Sequence, residues 1–181
     1  MKKVLLVSTS LSESSRSRKI LNIVKQKMES STVSVELVDL RDYELPFCDG
    51  RHPLSSYGEN AVKLDEKIKN ADAYIFGMAV YCYSISGVFK NFIDICCGGM
   101  SNKPFGIVAA SGGTMSYMAV EDLQKILSFE VRSIPYPQVV FAANEHWGKD
   151  GKRDEGLLAP IPERIDDFVE SFPKFVNGLS S

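Results

Sequence analysis

The chain has almost no histidine: His52 and His146 are the two among 181 residues. That scarcity argues against a catalytic metal centre, for which imidazole is a leading ligand. The four cysteines, Cys48, Cys82, Cys96 and Cys97, include no C-x-x-C pair. Neither a zinc ribbon nor a disulfide framework is expected, and a reducing cytoplasm suits them. Neither sign of charge dominates, because 21 basic and 23 acidic residues are mixed along the chain and leave a net charge of −2. That balance offers nucleic acid or a membrane surface no footing. No apolar run approaches membrane-spanning length. The apolar segment behind Lys2 and Lys3 is only Val4 to Val7, too short for a secretory signal. Also missing are G-x-G-x-x-G and the Walker lysine pattern, which argues against a standard dinucleotide fingerprint or a nucleoside-triphosphate loop.

What is present is an alternation of two periodicities. Val4 to Val7 reads as a strand, and Ile20, Leu21, Ile23, Val24 and Met28 recur at helical spacing. Val33 to Leu40 alternates as a strand. Arg41 to Tyr57 has no period, contains Pro46, Gly50 and Pro53, and reads as a long surface loop. Ala61, Leu64, Ile68 and Ala71 share a helical face, and Ala73 to Val80 is an unbroken apolar run suited to a strand buried on both faces. A loop from Tyr81 to Gly87 precedes a helix bearing Val88, Phe89, Phe92, Ile93, Cys96 and Cys97, ended by Gly98-Gly99. Phe105 to Ala110 is a strand, Ser111-Gly112-Gly113-Thr114 a loop, and Ala119, Leu123, Ile126 and Leu127 a helical face. Gln138 to Ala142 is a short fifth strand, and Asn144 to Ala159 is polar and Gly-rich. Pro162 opens a last helix with Ile165, Phe168, Val169 and Phe172 inward. Five strands alternating with five helices imply one α/β domain over 1–181, a three-layer sandwich on a five-stranded parallel sheet. The flavodoxin-like strand order 2-1-3-4-5 fits this size.

In that order, ligands bind beyond the carboxyl ends of the strands, at the switch between strands 1 and 3. The loop after strand 1 carries Ser10, Ser12, Ser14, Ser15, Arg16 and Ser17 and runs into a helix start. Strand, polar loop and helix N-terminus suit a phosphate, because unpaired N–H groups and the positive dipole end meet there. A serine-rich turn with an ordinary helix cap is the plainer reading. The loops from Tyr81 and Ser111 converge on the same crevice, which favours the phosphate.

Here the sequence resembles the NADPH-dependent FMN reductases, a flavodoxin-like family that includes quinone, chromate and azo reductases. Ser10-Leu11-Ser12-Glu13-Ser14-Ser15-Arg16-Ser17 is similar to the family's G-S-x-x-x-x-S-x-S phosphate loop, with Thr9 in place of the glycine. The second loop is similar to T-P-x-Y-N-x-S-x-P-G-x-L-K-N-x-I-D. It matches at Tyr81, Ser84, Gly87, Lys90, Asn91, Ile93 and Asp94, and departs at Met78, Ala79, Cys82 and Ser86. Ser111-Gly112-Gly113 matches the family's third element. The resemblance covers the first two-thirds of the chain. It implies FMN with its phosphate on Ser10, Ser12, Ser15, Arg16 and Ser17. The ring would lie against Ala79, Val80, Tyr81, Cys82 and Tyr83 on one loop and Ser111, Gly112, Gly113 and Thr114 on the other.

The resemblance further implies hydride transfer from NADPH or NADH through FMN to a small-molecule electron acceptor, with ping-pong kinetics and no catalytic acid, base, nucleophile or metal. Lys90 and Asp94, four apart, read as a structural ion pair. Cys82 reads as a small filler, Cys96 and Cys97 as packing, and both histidines as solvent-facing. Tyr117, Met118 and Trp147 are assigned to a subunit interface or to the substrate mouth. The broad stripe from Val88 to Cys97, with Met115, Tyr117, Met118 and Val120, predicts a homo-dimer or homo-tetramer. The rival reading is a flavodoxin-like FMN electron carrier without NAD(P)H reductase activity. Such carriers have a Thr/Ser-x-Thr-Gly-x-Thr loop and a strongly acidic surface, and this chain has neither. A flavin-free scaffold and a serine-loop hydrolase are more distant readings.

Overall fold

The computed structural model describes residues 1–29, 32–148 and 156–179. Among the described residues, six strands and five α-helices follow one another: β1 (Lys2–Ser8), α1 (Arg16–Met28), β2 (Val33–Asp39), α2 (Glu59–Lys69), β3 (Ala73–Tyr81), β4 (Ser84–Ile85), α3 (Gly87–Cys96), β5 (Pro104–Ala110), α4 (Ala119–Val131), β6 (Ile134–Ala142) and α5 (Ile161–Gly178). The order across the sheet is β2-β1-β3-β5-β6, all parallel, with β4 folded back antiparallel on β3. Counting the parallel strands alone, this is the expected 2-1-3-4-5.

Alternation along each strand divides the core into two layers. Leu5, Val7, Tyr74, Phe76, Phe105, Ile107 and Phe141 join the buried faces of α2, α3 and α4. Val4, Leu6, Ile75, Val108 and Val140 join those of α1 and α5. Two glycines set the helix approach. A Cβ at Gly77 would lie 2.8 Å from Leu21 of α1, and one at Gly106 2.6 Å from Phe168 of α5. Both sheet faces are therefore covered, which is why β3 and β5 read as nearly continuous apolar runs.

The structure departs from the sequence reading in three places. The last strand begins at Ile134, not Gln138, and so contains Pro135 and Pro137. It is an edge strand, where a missing N–H breaks no ladder on the open side. The segment from Arg41 to Tyr57 is not featureless: Leu40–Asp42 and Leu54–Tyr57 form 3₁₀ turns, and Tyr57 is buried. Asn91 of α3 pins it, accepting from the Cys48 N–H at 2.8 Å and donating to the Pro46 carbonyl at 3.0 Å. The broad stripe of α3 is used at home, since Phe89, Phe92, Ile93, Ile95 and Cys96 are all buried within the chain. Residues 149–155 of the Asn144 to Ala159 stretch lie outside the described residues.

Candidate active site

The loop after β1 is closed by its own serines. The Ser12 N–H donates to Ser10 Oγ at 3.3 Å, the Ser15 N–H to the Ser12 carbonyl at 3.2 Å, and the Arg18 N–H to Ser15 Oγ at 3.2 Å. Ser15 is thus the N-cap of α1. Arg18, which the sequence reading passed over, braces the loop from outside. Its guanidinium donates to the Ser12 carbonyl at 3.0 Å and to the Glu13 carbonyl, and pairs with Asp39 at the end of β2 at 3.5 Å. With the carbonyls held by Arg18, amides of the α1 N-terminus are left for a ligand. No acidic residue lies in the first turn of α1.

Thr9 and Ser86, two departures from the family pattern, support each other. Thr9, fully buried, directs its N–H and its hydroxyl to the Gly77 carbonyl at 3.2 and 2.8 Å, locking β1 to β3. Ser86 caps α3 by accepting from the Phe89 N–H at 3.2 Å, and it donates to the Thr9 carbonyl at 3.4 Å.

A cavity of about 160 Å³ opens above this loop, lined by Ser10, Ser12, Ser14, Ser15, Arg16, Ser17, Ala79, Val80, Tyr81, Ala110, Ser111, Gly112 and Asn144. A second, of about 440 Å³, adjoins it through Val80 and Gly112 and adds Cys82, Tyr83, Gly113, Thr114, Met115, Ser116 and Glu145. All fourteen residues singled out from the sequence line one or both. Outside that set, Ser14, Ala110 and Asn144 line the first cavity, and Met115, Ser116 and Glu145 the second. Asn144 and Glu145 come from the turn after β6, where the sequence shows only a polar stretch. Arg16 ties that turn to the serine loop: its guanidinium donates to Asn144 Oδ1 and lies 5.5 Å from the centre of the Trp147 ring. Trp147 is buried, so neither the interface nor the mouth assignment holds for it. His146 is half-buried, not solvent-facing, and its Nδ1 accepts from the Ala143 N–H at 2.9 Å. His52 is exposed.

The ring-side wall is a hairpin. β3 and β4 pair Val80 with Ile85 and Tyr81 with Ser84, leaving Cys82 and Tyr83 as the two turn residues, at φ 49° and 61°. Positive φ at both central positions is the two-residue turn that matches strand twist, and it favours Asn or Gly. Cys82 is therefore an exposed turn residue and not a filler. Ser84 donates to Asp122 of α4 at 2.6 Å, and that bond, with help from Lys125, holds the Asp122 carboxyl below its usual range. Lys90 and Asp94 form the expected exposed pair at 2.5 Å.

The donor set fits a flavin mononucleotide. Hydroxyls and helix-end amides suit a phosphate at one end. At the other, a Cβ on Gly112 or Gly113 would meet no atom within 4 Å, so the wall leaves flat open room for a ring system.

The chain matches the family model of the NADPH-dependent FMN reductases over residues 2–148. It belongs to that family. It is an oxidoreductase whose cofactors are FMN and NAD(P)H. A reductase described as NAD(P)H-dependent FAD/FMN reductase, from Geobacillus thermodenitrificans, is 33% identical over 144 residues, 79% of this chain and 76% of that one. An FMN-dependent NADPH-azoreductase of Staphylococcus saprophyticus is 30% identical over 129 residues, 69% of each chain. Among solved structures, the flavoenzyme NAD(P)H:(acceptor) oxidoreductase FerB from Paracoccus denitrificans superposes with a TM-score of 0.74 over 98% of both chains. At 21% identity that likeness speaks for the fold. Among the described residues no cluster of metal-ligating side chains occurs, and no helix is long and apolar enough to cross a membrane.

Proposed function

We propose that this reductase holds FMN along the paired cavities, phosphate toward Ser10, Ser12, Ser15, Arg16 and Ser17, ring between residues 79–83 and 111–114. The observation that carries the reading is the continuity of the serine-loop cavity with the glycine-walled one. When bound, FMN supplies the redox chemistry, taking a hydride from NADPH or NADH and passing electrons to a small organic acceptor such as a quinone or azo compound. The chain's own work is binding and orientation. Serine hydroxyls and α1 amides neutralise the phosphate. Tyr81 and Tyr83, both largely exposed, flank an open face that serves donor and acceptor in turn.

We further infer that the whole chain is one domain. α5, beyond the residues matched by the family model, packs on β6 and α1 and completes the second core layer. A homo-oligomer is supported by Met115, Met118 and Phe129, 85%, 58% and 86% exposed on or beside α4. Light scattering tests this, and a mass of 20.1 kDa at all micromolar concentrations would rule it out.

The deciding experiment is FMN titration of the purified protein followed by NADPH and NADH addition. The expected result is a bound-flavin spectrum that bleaches anaerobically and returns with acceptor. Trp147 is the sole tryptophan and lies against Arg16, so its emission changes as FMN binds. Failure to bind FMN would overturn the reading. FMN binding with no reduction by either nucleotide would favour the electron-carrier alternative.

A further inference from the structure

A third cavity continues the trough beyond the ring-side wall. Its volume is about 190 Å³, and Thr114, Tyr117, Phe141, His146, Pro160, Ile161 and Arg164 line it. Thr114 belongs to both cavities, and Glu145 of the second is followed directly by His146 of the third. The third cavity therefore adjoins the ring-side cavity at Thr114, and it shares no lining residue with the serine-loop cavity.

Its chemistry differs from that of its neighbour. Among the described residues, Glu145 is the one charged side chain lining the second cavity, and the third is lined by Arg164 and His146 with no carboxylate. His146 Nδ1 accepts a backbone N–H, so a neutral ring carries its proton on Nε2 and is a donor there. Thr114 and Tyr117 add hydroxyls. Tyr117 stands edge-on to Phe141, ring centres 5.2 Å apart, and the two form an aromatic side wall.

Arg164 is oddly placed for a structural residue. Arg18, Arg41 and Arg51 are each in an ion pair, and Arg16 rests on Asn144 and Trp147. Arg164 has none among the described residues, although Glu163 and Asp167 are near it in sequence. Arg132 also has none, but it caps the C-terminal end of α4, where the helix dipole favours a cation. Arg164 sits one turn into α5, at the end where the dipole disfavours one. A cation against the dipole, with no ion pair and no carboxylate on its cavity among the described residues, suits an anion from outside.

We propose that this cavity is an anion subsite for a substrate of the reductase, holding a phosphate or sulfonate on Arg164, His146, Thr114 and Tyr117 while the substrate's reactive end lies over the ring-side cavity. It rests on the FMN reading above. The anion comes either from the nicotinamide nucleotide or from an acidic acceptor.

The test compares wild type with Arg164→Gln, Arg164→Lys and His146→Asn, all FMN-loaded. Calorimetry gives Kd for NADP⁺ and NAD⁺, and steady-state assays give KM for a sulfonated azo dye and its uncharged parent. Arg164→Gln raises at least one of these constants about tenfold or more, as expected for a lost charge-assisted contact. Arg164→Lys restores part of it. FMN affinity and KM for the uncharged dye stay within twofold. Loss for NADP⁺ but not NAD⁺ identifies the 2′-phosphate as the anion, equal loss for both identifies the pyrophosphate, and loss for the sulfonated dye alone identifies the acceptor. If NADP⁺, NAD⁺ and the sulfonated dye all stay within twofold in Arg164→Gln, the subsite is refuted. If wild type binds FMN and NADP⁺ without oxidising NADPH, the reductase reading falls while the calorimetric arm still decides the subsite.

Discussion

The loop after β1 and the hairpin after β3 face each other across one trough, but they hold their shapes by different means. The serine loop is tied by hydrogen bonds between residues two to six apart, with Arg18 and Asp39 as an outside brace. The hairpin has two non-glycine residues at positive φ and one side-chain tether, Ser84 to Asp122. A pre-formed donor array suits a ligand end that stays in place. A wall on one tether, bearing exposed tyrosines, suits a face that admits one molecule after another. The difference teaches that, under the FMN placement proposed above, the phosphate end of the trough is the more densely bonded and the ring end the less.

The largest break in this comparison comes from the anchored side. Replacing Ser15 and Ser17 together by Ala removes two hydroxyls at the phosphate end, worth about 1.5–3 kcal/mol each in FMN affinity. Isothermal calorimetry reads it, and an unchanged Kd would refute the assignment. Ser15→Ala also removes the α1 cap, costing about 1 kcal/mol of stability, so Ser17→Ala alone separates binding from folding. Next comes Arg18→Met. Arg18 does not line the cavity, yet its loss frees the Ser12 carbonyl and leaves Asp39 with Arg41 alone. Urea denaturation should show a loss of about 2 kcal/mol, and FMN binding should weaken as well. Stability loss with unaltered FMN affinity would mean that the brace does not shape the site.

On the adaptable side the effects are smaller. Tyr83→Gly relieves left-handed strain and should raise stability by about 1 kcal/mol; a destabilised variant would contradict the strain seen at φ 61°. The Ser84–Asp122 tether gives a pH signature. Because the carboxyl is depressed in the folded state, its contribution is complete above the ordinary value of 3.8 and is lost as pH falls below it. Acid unfolding of Ser84→Ala should accordingly be less steep than wild type below that pH. The mildest probe is alkylation. Cys82 is exposed and should react first. Burial pushes the Cys96 thiol up to about 12, so it should react last.

How much of this was legible follows the same divide. The serine loop could be read because its spacing, its cap and its closing bonds are local, and local chemistry leaves a local pattern. Ser14 is one more hydroxyl donor in that loop, outside the phosphate set that the resemblance implies. Arg18 was missed because its role depends on Asp39, twenty-one residues away and brought near by the β1–β2 register. The hairpin could not be seen in Tyr81 to Ser84, since Cys82 and Tyr83 are poor turn formers, held there by the pairing of β4 with β3 and by the Ser84–Asp122 bond. Pro135 and Pro137 hid the start of β6, because proline argues against a strand until the strand is known to lie at an edge.

By itself, then, the sequence determined the alternation of strands and helices, the order of the parallel sheet, the two buried layers and the serine loop with its helix cap. The alternation, the layers and the loop rest on periodicity or on contacts within a few residues, and the sheet order follows from the fold class they imply. Only the tertiary structure decided what the turn after β6 contributes. It carried Asn144 and Glu145 to the trough, buried Trp147 under Arg16, and put His146 and Arg164 on the wall of one cavity. Those placements depend on how a polar segment closes over the end of a finished sheet, and no spacing along the chain encodes that distance.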